Sequence, residues 1–167
     1  CANLPYYITS PVIMKLLEEK LPVESLTVMV QKEAAVRICA APGTRACGAV
    51  SVAVQYYSQP QILFDVPRDC FFPAPNVDSA VIRLNIRKEP PVKLETEEKQ
   101  FFKLVKAAFG QRRKTVLNSL NTGLGKSKEE LSAALQQAGI EPTARAEQLT
   151  MEQFGTLCNL LFPNKAK

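Results

Sequence analysis

At 167 residues, 46% hydrophobic and 22% charged, the chain has the composition of a globular protein, too charged for a membrane bundle and too apolar for disorder. It contains no histidine, which excludes histidine-dependent triads, zinc sites and proton shuttles within it, and none of its five cysteines shares a C-x-x-C spacing with another; no metal site and no disulfide scaffold is expected, and a reduced, cytoplasmic setting follows. No apolar run approaches the roughly 18–20 residues that cross a bilayer, and the net charge of +5 is concentrated late: eight basic residues and no acidic one lie between Glu98 and Glu129, which points to a polyanionic partner.

The chain opens on "CANLPYYITSP". Ser10 reads as the N-cap of a helix over Pro11–Lys20, with proline at its first position and Val12, Met14, Leu16 and Leu17 apolar. "SLTVMVQ" (25–31) predicts a buried strand, and "KEAAVRICA" a helix that ends before the turn Ala41-Pro42-Gly43-Thr44. In "AVSVAVQYY" the residues Val50, Val52, Val54 and Tyr56 alternate, which by pattern alone predicts a strand. "QILFDV" and "SAVIRLNIR" predict two more strands. The loop "PRDCFFPAPNVD" between them holds too many prolines for a central strand.

"KEPPVKLETEEK" reads as a linker, after which the sequence becomes wholly helical. It divides the chain into residues 1–88 and a small helical domain, 89–167. Thr96 is the expected cap of the first helix there. The second is expected from about Arg113 to Asn121, stopping at Gly123. Ser127 to Glu130 forms a capping box for the third, which ends at Gly139, and Thr150 to Gln153 forms one for the fourth.

The opening turn carries the chemistry. Leu4, before a proline, is pushed to an extended conformation, and Pro5 fixes its own φ. A stiff turn between a strand end and a helix start aims the Asn3 amide oxygen and a backbone carbonyl at one point, with the ring of Tyr6 beside them. Two converging acceptors and a flat ring suit a planar amine such as N6 of adenine. Its lone pair is delocalised until the N–H groups are held by acceptors, so the chemistry needs positioning and electrostatics and no strong base. The four residues alone also fit a plain strand-to-helix turn with a core tyrosine.

"NLPYYITSP", "VMVQKEAAVRI", "FFPAPNVDSAVIRL" and "AAFGQRRKTVLNSL" occur in this order, and together they resemble the rRNA adenine N6,N6-dimethyltransferases of the KsgA type over nearly the whole chain. The resemblance implies an α/β fold: the C-terminal part of a Rossmann-like methyltransferase sheet, its first strands missing, followed by a small all-α domain. It implies a helix at 49–57. It implies that Asn3 and the Leu4–Pro5 backbone hold N6, that Tyr6 and Phe71 stack on the base, and that Asn3 also lies beside the methyl donor, S-adenosylmethionine. Phe72 is expected in the core. The helical domain would lie on small-subunit ribosomal RNA in a 30S-type particle, with Lys103, Lys106, Arg112, Arg113 and Lys114 as contacts; Lys99, on the same face as the first two, reads as merely solvated. Gln31, Lys32 and Glu33 match the family without an assigned role; Lys32 and Arg37 fit either RNA contact or an internal ion pair. A large-subunit rRNA methyltransferase of the antibiotic-resistance type and a non-catalytic RNA-binding assembly factor are the rivals.

The family's glycine-rich donor motif precedes the Asn-Leu-Pro-Tyr turn. The sequence Gly123-Leu124-Gly125 follows a helix and reads as its terminator. The chain is therefore read as an N-terminally truncated fragment, expected to be inactive and to bind no S-adenosylmethionine by itself, with a bared sheet edge that invites dimerisation or swapping.

Overall fold

A computed structural model describes residues 1–163 as an open four-stranded sheet with helices on one face, followed by four packed helices. The strands are β1 (Ala2–Asn3), β2 (Ser25–Gln31), β3 (Ser58–Val66) and β4 (Ser79–Ile86), in the order β1-β2-β4-β3. β1 and β2 are parallel, whereas β4 runs antiparallel to both its neighbours. The register sets Leu26, Val28 and Val30 opposite Leu84, Ile82 and Ala80. Side chains alternate across a sheet, so these six share a face. On it pack Ile13 and Leu17 of α1 (Thr9–Glu18), Ala35 and Ile38 of α2 (Lys32–Ile38) and Val54 of α3 (Ala49–Tyr57). β3 forms one end of the sheet, which is where a strand can carry Pro60 and the register shift between Ile62 and Phe64.

The segment 49–57 is helical, against its alternation. Ser51 to Val54 and Tyr56 are all buried, because α3 lies between two cores. Val54 joins the sheet core, and Val52 and Tyr56 join the helical one. A helix buried on most sides shows no clean periodicity. That helical core is built by α4 (Glu98–Ala108), on which α3 packs, with α5 (Val116–Leu124), α6 (Lys128–Gln137) and α7 (Met151–Leu161); together they bury Phe101, Leu104, Leu120, Leu131, Leu135, Phe154 and Leu157 completely. Each such side chain contributes about 1.5–3 kcal/mol by leaving water. Rings tie the halves together: Tyr56 packs 5.1 Å from Phe101 and Tyr57 stacks 5.3 Å from Phe102, between centroids. The Tyr56 hydroxyl donates to Glu98 at 3.4 Å. Burial first, and the Glu98 charge second, push the Tyr56 phenol up to about 12.

Several helix ends differ from expectation. α1 starts at Thr9 because a 3₁₀ turn over Tyr6–Ile8 leads into it; Ser10 is then inside the helix, and Pro11 sits in the first turn, where no N–H is missed. It ends at Glu18, two residues early. Glu97, not Thr96, precedes α4, and no side chain caps it. Thr115 caps α5 through the Asn118 N–H, which leaves Arg112 to Lys114 in the preceding turn. α5 runs past Gly123 to a left-handed Gly125 at φ 66°. Gly123 serves packing: a Cβ there would stand 2.7 Å from Cβ of Ala107. Ser127 caps α6 as expected, but the Glu130 carboxylate turns to Lys126 instead of closing the box. Thr150 and Gln153 form theirs in full.

Candidate substrate-base and RNA-contact sites

Asn3 ends β1, in register with Met29 of the parallel β2, so the turn that follows leaves the carboxyl end of the sheet. Pro5 sits at φ −55°, ψ 134°. Its carbonyl accepts from the Ile8 N–H at 3.1 Å and from the Thr9 hydroxyl at 3.3 Å, which closes the turn onto α1. Leu4 packs against the sheet core. The Tyr6 ring is half-buried, and its hydroxyl lies 2.6 Å from Oγ of Ser79, a fully buried residue at the start of β4. One hydrogen bond thus fixes the ring to a strand 73 residues away.

Ser79 also ends the proline loop. There the Arg68 N–H donates to Oδ1 of Asp78 at 2.9 Å, and the Lys32 N–H donates to the Asp78 carbonyl at 3.0 Å, pinning the loop's two ends. Phe71 is extended, at φ −115°, ψ 150°. The loop and the opening turn face each other across an open cleft of about 360 Å³ lined by Asn3, Leu4, Pro5, Tyr6, Phe71, Pro73 and Pro75. All five of the residues singled out in these two segments line it. Asn3 is exposed to it, and no lining residue is charged. An amide, two rings and three prolines make a stiff, largely apolar slot with a hydrogen-bonding end, the right materials for a nucleobase.

Phe72, expected in the core, is instead fully exposed, at 103%. Phe71 lines the cleft, whereas its neighbour stands out from the loop, where nothing packs on it. Ser79 and the loop prolines were not singled out from the sequence. The loop's composition signals the prolines, but nothing local signals the serine's pairing with Tyr6.

Lys32 lies 2.7 Å from Asp65, and that hydrogen bond raises its pKa; Arg37 lies 3.2 Å from Glu33, one helical turn away. The intramolecular alternative for both is therefore realised. The remaining basic residues divide into two groups. Lys103 and Lys106 are exposed on α4, opposite its buried Phe101, Leu104 and Val105, as is Lys99. Arg112 and Lys114 line a second cleft, of about 280 Å³, where the turn before α5 meets the start of α3. Arg37 and Arg45 complete its cationic lining, with Glu147 the single carboxylate. Arg113 is exposed outside it. Among the described residues, no ion pair engages Arg45, Arg112, Arg113 or Lys114. Arg45 was not singled out from the sequence, since it is isolated there from the Arg-Arg-Lys run.

Residues 1–162 match the model of the family described as ribosomal RNA adenine dimethylase. A protein named ribosomal RNA small subunit methyltransferase A from Geobacillus thermodenitrificans is 53% identical over 165 residues, covering 97% of this chain and 56% of the relative. One of the same name from Alkaliphilus oremlandii is 55% identical over 161 residues, with 96% and 56% covered. The chain thus spans little more than half the length of these relatives. Among solved structures, a dimethyladenosine transferase from Plasmodium falciparum matches with a TM-score of 0.75 at 25% identity, over 93% of this chain and 63% of that one. The 23S rRNA methyltransferase ErmE matches with a TM-score of 0.68 at 27% identity, over 95% and 63%. With its sheet, its facing turn and loop, and a match over nearly every residue, the chain belongs to the ribosomal RNA adenine dimethylase family.

Proposed function

We propose that the whole protein dimethylates N6 of two adjacent adenosines in a hairpin near the 3′ end of small-subunit rRNA. In this reading residues 1–88 hold the target base and residues 89–167 lie on the RNA. The convergence of Asn3, Leu4, Tyr6 and Phe71 on one uncharged cleft carries it.

The target adenine enters between the rings of Tyr6 and Phe71, whose stacking offsets the cost of leaving the helix. Its two N6–H groups donate to Oδ1 of Asn3 and to the carbonyl of Leu4. The Pro5 carbonyl is unsuited to this, being engaged by Ile8 and Thr9. Held by both acceptors, N6 is kept pyramidal and its lone pair stands free of the ring, ready for methyl transfer. Asn3 and Leu4 need no proton affinity for this, in keeping with a cleft that has no titratable group besides the Tyr6 phenol. The proton released by the reaction has an open path to water through the cleft mouth.

S-adenosylmethionine is the proposed methyl source, and Asn3 would lie beside it. The Gly123-Leu124-Gly125 sequence is not offered as a donor loop, because it ends α5, with Gly125 left-handed and no strand before it. Arg45, Arg112 and Lys114, with Lys103, Lys106 and Arg113 beyond, are proposed to hold RNA phosphates and so set its register. The likeness to ErmE favours a large-subunit substrate instead, but at 27% identity against 53–55% for the relatives named for the small subunit. Assaying the whole protein on unmethylated small and large subunits decides it. Methylation of the small subunit alone is expected; methylation of the large one, or of neither, overturns the proposal.

A further inference from the structure

Two rings beside the cleft face solvent: Tyr7 is 85% exposed and Phe72 103%. Each directly follows a ring that lines the cleft, Tyr6 and Phe71. A single exposed apolar side chain needs no explanation. Two placed next to the inner rings of one cleft, on backbone this well fixed, are a pattern. Tyr7 is in the 3₁₀ turn closed by the Ile8–Pro5 hydrogen bond, and Phe72 lies between Phe71 and Pro73 in the loop pinned by Asp78. Neither ring is held by packing of its own. In a 3₁₀ turn Tyr7 is rotated roughly 120° from Tyr6, and Phe72 stands clear of the protein while Phe71 lines the cleft. The outer rings therefore stand on the flanks of the two walls whose inner sides close on the base.

We propose that Tyr7 and Phe72 form a stacking rim for the RNA bases that flank the target adenosine. The proposal rests on the base-binding reading of the cleft. An RNA strand that sends one base between Tyr6 and Phe71 carries its neighbours out over the two flanks, where their faces have lost a stacking partner. An exposed ring on each flank replaces it. Every base has a π-face, so the rim supplies affinity and aim without selecting a neighbour's identity. Tyr7 and Phe72 are positioning residues; they touch neither N6 nor the donor.

The test is methylation by the whole protein of a hairpin in which one adenosine of the pair is the target, and of the same hairpin made abasic at that target's two neighbours. On intact RNA, Phe72→Ala and Tyr7→Ala are each expected to raise KM roughly 5- to 100-fold with kcat little changed. Phe72→Trp should retain the KM of the unsubstituted protein. On abasic RNA the unsubstituted protein should fall to the level of the alanine variants, which lose nothing more. Thermal melts should be unchanged, since neither ring is buried. Alanine variants with unaltered KM on intact RNA overturn the rim and leave the cleft standing. So do equal losses on intact and abasic RNA, which mark a structural role. An unsubstituted protein that methylates neither hairpin takes down the cleft reading, and the rim with it.

Discussion

The two clefts are built from opposite materials. The one at Asn3 and Phe71 holds an amide, two rings and three prolines, without a charge; the one at Arg45 and Arg112 gathers four cations around a single carboxylate. Their supports differ as well. The first is fixed by individual hydrogen bonds: Pro5 to Ile8 and Thr9, Tyr6 to Ser79, Arg68 to Asp78. The second rests on a packed helical core, in which Phe109, one of its lining residues, stacks 6.0 Å from the buried Phe154. A nucleobase is distinguished by shape and lone pairs, which demand stiffness. A phosphate is recognised by charge, which tolerates looser geometry. Damage to the first cleft should therefore appear in kcat, and damage to the second in binding and its salt dependence.

The largest expected effect tests the supports. Phe154→Ala removes a fully buried ring from the helical core and should cost about 3–5 kcal/mol of stability, read from denaturant unfolding. Asn3→Ala in the whole protein should leave unfolding unchanged, since Asn3 is exposed, and lower kcat roughly 10²- to 10³-fold. A loss confined to KM would mean that Asn3 merely binds the base, and the contrast between the clefts would fail on its catalytic side.

How much of this contrast the sequence displays depends on how local each cause is. The strands 25–31 and 79–86 alternate because one face of the sheet is covered, so their pattern is legible. The segment 49–57 alternates too, yet is a helix, since burial between two cores erases the difference between faces. Gly123 looks like a helix stop because glycine usually is one; its reason here is the approach of Ala107 from the preceding helix α4, a packing contact that no residue beside Gly123 signals. The base cleft is legible because prolines fix its backbone locally. Phe72 misleads because hydrophobicity does not reveal whether a stiff loop has anything to pack against. Arg45 is invisible as a site residue because the basic cleft is assembled from four separate stretches of chain.

The basic cleft supplies the next test. Arg45→Glu together with Arg112→Glu should weaken RNA binding and flatten the plot of log affinity against log salt by about two contacts' worth, with kcat at saturating RNA preserved. An unaltered salt slope would make these arginines structural and leave phosphate contact to Lys103, Lys106 and Arg113.

The smallest effect sharpens the comparison most, because it separates stiffness from stability. Ser79 is fully buried and holds the Tyr6 hydroxyl at 2.6 Å, but Tyr6 itself is only half-buried, so water can replace a lost partner. Ser79→Ala and Tyr6→Phe should each cost about 1 kcal/mol of stability, as is usual for one hydrogen bond. If the bond serves to aim the ring, the two substitutions should not add: the double variant should lose no more kcat/KM than either single one, while a methylated product still forms at a reduced rate. Additive losses would show that the serine and the tyrosine act separately. The ring would then be held by the Pro5 turn alone, and the apolar cleft would owe its stiffness to its prolines and not to the strand beneath it.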